Sequence, residues 1–155
     1  MPTAYILVGV PGSGKSTWIK NQNWARSCVT ASTDNYIEAV AKRVGKTYSE
    51  VFDAHMSDAV EDMASVVVAA REAGRDIIWD QTSTTVNSRK KKFKMLPGYK
   101  MIAVVFKTPE EDEWKRRLDS RPGKHIPDHV LKSMSENFEM PTLEEGFHEI
   151  WNGQS

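Results

Sequence analysis

Gly9-Val10-Pro11-Gly12-Ser13-Gly14-Lys15-Ser16 spells G-x-x-x-x-G-K-[ST] and follows directly on the apolar run Ala4-Tyr5-Ile6-Leu7-Val8. The run reads as a buried strand, and the eight residues after it read as a phosphate-binding loop that opens a helix. The chemistry explains the residue types. Glycines let successive backbone N–H groups turn inward around phosphate oxygens, Lys15 reaches the β/γ-phosphates, and the Ser16 hydroxyl can ligate Mg²⁺. The expected nucleotide-binding set is Gly9, Pro11, Gly12, Ser13, Gly14, Lys15, Ser16 and Thr17.

The rest of the chain fits around that loop. Its 155 residues suffice for one domain with a single substantial core. The 21 basic and 21 acidic residues cancel, so no global field advertises nucleic acid or a membrane, and an anionic ligand must be held by local clusters. Cys28 is the one cysteine and reads as a buried thiol in a reducing cytosol. The N-terminal apolar run is too short to span a bilayer and is followed by Gly and Pro rather than a cleavage site, which predicts a soluble cytoplasmic chain.

Short apolar segments alternate with longer amphipathic ones. Ala4–Val8, Cys28–Ala31, Asp76–Trp79 and Lys100–Phe106 read as strands, the last two apolar enough to be parallel and covered on both faces. Helices are expected over Ser16–Asn21, Asn35–Val44, Tyr48–Ala73, Pro109–Asp119 and Pro127–Phe138. The longest carries Val51, Phe52, Met56, Val60, Met63, Val67 and Ala70 at three- and four-residue spacing and stops at Gly74. The segment from Pro141 to Ser155 reads as peripheral. The pattern predicts an α/β fold: a doubly wound, mainly parallel sheet with helices on both faces and ligands gathered at the carboxyl ends of the strands.

Two acids stand at such ends. Asp34 follows the second strand, where a carboxylate can accept the proton of an acceptor hydroxyl or can cap the next helix. Asp80 follows Ile77-Ile78-Trp79, where it can orient Mg²⁺ or serve as a cap. The basic run Lys115-Arg116-Arg117-Leu118-Asp119-Ser120-Arg121-Pro122-Gly123-Lys124 leaves a helix for a Pro/Gly loop and reads as a lid over residues 117–127. Arg117 and Arg121 fall on one side at helical spacing and can neutralise a transferring phosphoryl group. A second cluster, Arg89-Lys90-Lys91-Lys92 with Lys94, suits either nucleic-acid phosphates or a solvated helix face.

Taken together, G-V-P-G-S-G-K-S-T-W, S-T-D-N-Y, D-Q-T followed by N-S-R, and K-R-R-L-D-S-R-P-G-K-H-I-P-D-H-V-L-K-S-M closely resemble the kinase domain of the phage-type polynucleotide 5′-hydroxyl kinases and their small P-loop relatives. The resemblance runs from about residue 4 to residue 138. It implies ATP and Mg²⁺ as cofactors, Lys15 and Ser16 at the phosphates, Asp34 as general base, and Arg117 and Arg121 as lid arginines. Thr82 and Arg89 also match the family pattern. One position departs: family members acting on polynucleotide ends carry an arginine just beyond the tyrosine, which grips the acceptor's phosphate, and this chain has Ile37 there, with Lys42 or Arg43 as substitutes from a later turn.

The expected activity is ATP-dependent transfer of the γ-phosphoryl group to a hydroxyl on nucleic acid, a polynucleotide 5′-end first. The alternatives are the hydroxymethyl group of a modified base in DNA, an activity that the resemblance associates with phage genomes, and a small-molecule alcohol. A non-transferring ATPase switch is the reading from another class, and it leaves an acceptor-side carboxylate without a purpose.

Overall fold

The computed structural model describes residues 1–154. Five strands form one parallel sheet in the order β2-β3-β1-β4-β5. The apolar run that precedes the glycine loop is its central strand, β1 (Thr3–Val8), flanked by β3 (Ile77–Trp79) and β4 (Lys100–Val105). Strand β2 (Val29–Ala31) lies outside β3. Because β1 is covered on both faces, its side chains divide by alternation. Ala4, Ile6 and Val8 join Met63, Val67 and Trp79 in one core layer, while Leu7 joins Trp18, Ile78, Ile102, Val104 and Phe106 in the other.

Among the described residues, five of the six helices follow the expected order with small shifts at their ends, and the helix over the basic cluster around Arg89 is additional to those expected. The six are α1 (Lys15–Asn21), α2 (Thr33–Val44), α3 (Tyr48–Glu72), α4 (Val86–Met95), α5 (Glu111–Asp119) and α6 (Asp128–Glu136). Residues Asn23–Ser27 add a 3-10 turn before β2. Gly74, at φ 66°, ends α3 as its sequence position suggests. The apolar stripe of α3 is not all core. Val51, Met63, Val67 and Ala70 are buried, whereas Phe52 and Val60 are exposed.

Three expectations need correction. The segment after Pro141 is not peripheral: Glu149–Asn152 forms β5, paired with β4 from Ile102↔Glu149 to Val105↔Asn152, and Phe147 is buried in the core. Its four residues alternate half-buried and exposed, an edge-strand pattern too short and too polar to announce itself. Arg89 and Lys92 are neither solvated nor free for phosphates. Arg89 is fully buried, with a two-pronged bond to Glu145 at 2.8 and 3.1 Å and a third to the Ser83 carbonyl at 2.8 Å. Lys92 is buried with its Nζ 5.1 Å from the centre of the Trp79 ring. Cys28 is half-buried rather than buried, its Sγ 3.9 Å from the Trp24 carbonyl. Among the described residues, no helix is long and apolar enough to cross a membrane.

Candidate active site

In a parallel sheet every strand delivers its carboxyl end to the same rim. Here β1 hands over to residues 9–14, β3 to Asp80 and β2 to the start of α2. Backbone bonds stitch the rim together: Gly9 N–H to the Thr82 carbonyl at 2.9 Å, and Asp80 N–H to the Ala31 carbonyl at 2.8 Å. Above it lies a cleft of about 1520 Å³, lined by Pro11 through Thr17 together with Asp34, Asp80, Arg117 and Arg121. Of the residues singled out for nucleotide binding, Gly9 alone stands behind the lining. A Cβ there would lie 2.6 Å from Ser13 Oγ and 2.8 Å from Phe106 Cβ, so only glycine fits.

The glycine loop has the geometry of an anion cradle. Gly12 and Gly14 hold φ values of 76° and 108°, a region that side-chain-bearing residues rarely occupy. Gly14 also caps α1 without a side-chain bond, which leaves the helix N–H groups facing the cleft end of the loop. Ser13 Oγ is buried and makes no hydrogen bond among the described residues. Lys15 Nζ donates to the carbonyls of Gly9 and Val10 at 2.8 and 2.9 Å. Burial pushes the Lys15 amine down to about 8, against the pull of Asp80 and Asp34, while Arg121 pushes the same way as burial. Asp80 is raised above the usual carboxylate range, chiefly by burial, with Lys15 opposing. Lys15 thus lies within the fields of Asp80, Asp34 and Arg121.

Neither acid is a helix cap. Ser32 caps α2 by accepting from Asn35 N–H at 3.3 Å, which leaves Asp34 in the first turn with its carboxylate free of that duty. Asp80 lies six residues before the first residue of α4, and Thr85 caps that helix through a capping box with Ser88. Asp34 instead accepts from Tyr48 Oη at 2.5 Å and lies 3.9 Å from Lys124 Nζ, which also pairs with Glu38.

The basic run divides in two. Arg117 lies on α5, bonded to Glu113 at 3.0 Å and to the Gly12 carbonyl at 3.2 Å. Arg121 lies beyond the end of α5, in the loop that leads to α6, so the two do not share a helix face. Beyond it, Gly123 (φ 73°) packs against Thr47, Ser49 N–H bonds the Gly123 carbonyl at 3.0 Å, and His125 N–H bonds Ser49 Oγ at 2.9 Å. The proposed lid is thus fastened to the N-terminus of α3.

Sequence reasoning missed four contributors. Trp114, the one aromatic in the charged helix Glu111–Asp119, donates to the Pro11 carbonyl at 2.6 Å. Its isolation among charges was the available signal. Gln154 bonds the Ser13 carbonyl at 3.3 Å and Lys107 N–H at 3.1 Å. Tyr48 and Phe52, which share the first turns of α3, line the cleft opposite the glycine loop. Ile37, by contrast, is fully buried with Val40, Ala41, Val51 and Ala59, so position 37 faces the core. Lys42 and Arg43 do not line the cleft either.

A parallel sheet with β1 at its centre, a glycine cradle at the start of α1 and acids at the neighbouring strand ends define a P-loop protein with a kinase-like fold. A family model described as an AAA domain matches residues 5–141, and the chain belongs to that family. Its curated relatives include the mouse heterogeneous nuclear ribonucleoprotein U-like protein 2, 25% identical over 96% of this chain and 21% of that protein. The bifunctional polynucleotide phosphatase/kinase of Schizosaccharomyces pombe is 28% identical over 94% of this chain and 32% of its own length. The chain therefore spans a third or less of either relative. A solved candidate kinase from Chloroflexus aurantiacus shares the fold with a TM-score of 0.71, at 17% identity over 97% of this chain and 84% of that one.

Proposed function

We propose that this protein is an ATP-dependent kinase that moves the γ-phosphoryl group to a hydroxyl on nucleic acid. The observation that carries the reading is the meeting of a glycine cradle with Lys15, a half-buried Asp80 and an Asp34 that caps no helix around one cleft. A nucleotide-hydrolysing switch has use for the first three and none for the fourth. In this reading Lys15 and the loop N–H groups hold the β/γ-phosphates, and Arg121 and Arg117 offset charge on the transferring group. Asp34 accepts the proton of the attacking hydroxyl. Among the described residues no cluster of three or more His, Cys, Asp or Glu side chains is poised for a metal. Mg²⁺ would be held by the Ser16 hydroxyl and the Asp80 carboxylate, which both line the cleft, and it would supply charge neutralisation there.

A polynucleotide 5′-hydroxyl is the acceptor that the motif resemblance and the yeast relative favour. A second reading, a hydroxymethyl group carried on a base in DNA, is favoured by the acceptor wall. That wall presents Glu38, Asp53, Phe52 and Met56, its Lys124 is already paired with Glu38, and position 37 offers no cation. A 5′-hydroxyl end brings its adjacent phosphate close to the acceptor oxygen, where position 37 offers no cation, whereas a hydroxymethyl group on a base is held away from the backbone phosphates by the ring and the sugar. Labelled ATP offered with a 5′-hydroxyl oligonucleotide, hydroxymethyluracil-containing duplex and a free nucleoside or sugar tests both. Label on the oligonucleotide end supports the first reading, and label inside the duplex the second. Label on the small alcohol alone discards nucleic acid as the acceptor, and phosphate release without transfer discards the kinase.

A further inference from the structure

Asp34 sits on a short, half-exposed side chain, 52% accessible, at the first turn of a helix. A carboxylate so placed rotates freely in water unless something holds it, and a base that must meet one hydroxyl loses rate to every wrong orientation. One of its oxygens is held. Tyr48 Oη donates to Oδ1 at 2.5 Å, from an element fourteen residues away in sequence. We propose that Tyr48 is the positioning residue of the acceptor side, fixing the Asp34 carboxylate so that Oδ2 is the oxygen offered to the incoming hydroxyl. This inference rests on the kinase reading above.

Tyr48 is itself anchored, as a positioning residue must be. It is the first residue of α3, directly after Thr47, whose capping box with Glu50 is closed by bonds of 2.9 and 3.3 Å. The lid loop pins the same turn through Ser49. One face of the Tyr48 ring lies 4.6 Å below Lys124 Nζ, and Phe52 packs beside it with ring centres 5.6 Å apart. The ring is thereby committed to its neighbours and is not free to stack on an acceptor. Burial, reinforced by the Asp34 carboxylate, holds the phenol protonated well above the ordinary tyrosine range, so Tyr48 is a donor and never a competing base. Lys124, 3.9 Å from Oδ2 and paired with Glu38, leaves that second oxygen without a close hydrogen bond. Transfer then proceeds with one proton passing from the acceptor hydroxyl to Oδ2 as its oxygen bonds the γ-phosphorus and the bond to the ADP oxygen breaks.

The test is Tyr48→Phe, which keeps the ring and both of its contacts, measured under steady state with ATP and the best acceptor from the panel above. We expect kcat to fall about tenfold with KM for ATP and for acceptor within about twofold of wild type, since the bond is spent on orientation rather than on binding. The double variant Tyr48→Phe/Asp34→Asn should be no slower than Asp34→Asn alone, because both act through one carboxylate. Full kcat in Tyr48→Phe, a change confined to KM, or additive effects in the double variant overturns the positioning role while leaving the kinase reading intact. No transfer by the wild type to any alcohol overturns both.

Discussion

The indole N–H of Trp114 bonds the carbonyl of Pro11 at 2.6 Å, joining α5 to the crown of the glycine loop across more than a hundred residues of chain. Leu118 and Trp114 also close over Gly12, where an added Cβ would lie 3.2 and 3.4 Å from them. The helix that carries Arg117 is therefore part of the wall that shapes the phosphate cradle. Trp114→Phe keeps the apolar contact and removes the bond, whose net value is about 1 kcal/mol. KM for ATP should rise about threefold to tenfold with little change in melting temperature, as measured by initial rates at varied ATP. An unchanged KM would show that α5 merely covers the loop.

On the kinase reading, Lys15→Ala should abolish phosphoryl transfer while leaving the circular dichroism spectrum intact, because its amine bonds the loop carbonyls of Gly9 and Val10 rather than packing in the core. The same residue gives a pH signature. Its amine is lowered to about 8 and binds phosphate only when protonated, so ATP affinity in the free enzyme should weaken as pH rises through about 8. For folding the sign is opposite. The unfolded chain holds that proton up to its ordinary value of 10.5, so the penalty of burying the cation is fully present below about 8 and is relieved as pH climbs from about 8 towards 10.5. ATP titrations between pH 6 and 9.5 check the first effect and urea melts over the alkaline range the second. A flat affinity profile would remove Lys15 from the phosphate site.

Asp34→Asn preserves size and removes the proton acceptor. Since Ser32 caps α2, stability should barely move. Turnover should fall about 10²-fold or more. Single-turnover transfer and a thermal melt on the same preparation separate the outcomes, and preserved turnover would exclude the base assignment.

Arg121→Lys distinguishes a phosphate-gripping guanidinium from a solvated charge. A planar fork holds two oxygens at once and an ammonium does not, so transfer at saturating ATP and Mg²⁺ should drop at least about tenfold, nearly as far as in Arg121→Ala. Arg117, already bonded to Glu113 and the Gly12 carbonyl, should lose less on the same change. Near-wild-type rates in Arg121→Lys would reduce the basic run to a solvated helix end.

Arg89→Met should cost stability rather than chemistry. It strips a fully buried partner from Glu145, whose side chain is 10% exposed, and from the Ser83 carbonyl. Leaving a buried charge uncompensated costs about 3–5 kcal/mol. Urea denaturation reads the loss, and a change within about 1 kcal/mol would mean that Glu145 finds water when the guanidinium is gone.

What the sequence by itself determined was whatever is written in contiguous residues. Residues 9–16 carry the loop because phosphate binding needs glycines, a lysine and a hydroxyl at fixed offsets along one turn of chain. The alternation of short apolar runs with amphipathic stretches dictates the parallel sheet, since strands covered on both faces must be apolar throughout. Asp34 and Asp80 were legible as rim residues for the same reason, Asp80 standing directly after β3 and Asp34 three residues after β2. Tertiary structure decided what depends on partners far apart in the chain. Whether Asp34 caps or faces the cleft turned on Ser32 and on Tyr48, and whether Arg89 meets solvent turned on Glu145, fifty-six residues away. The fate of Ile37 turned on the packing of α2 against α3, and the use of residues 149–152 as a strand turned on the open edge of β4. A charge or a hydroxyl has no fixed meaning in one dimension, because its free energy is set by the dielectric and the hydrogen-bond partners that folding brings to it.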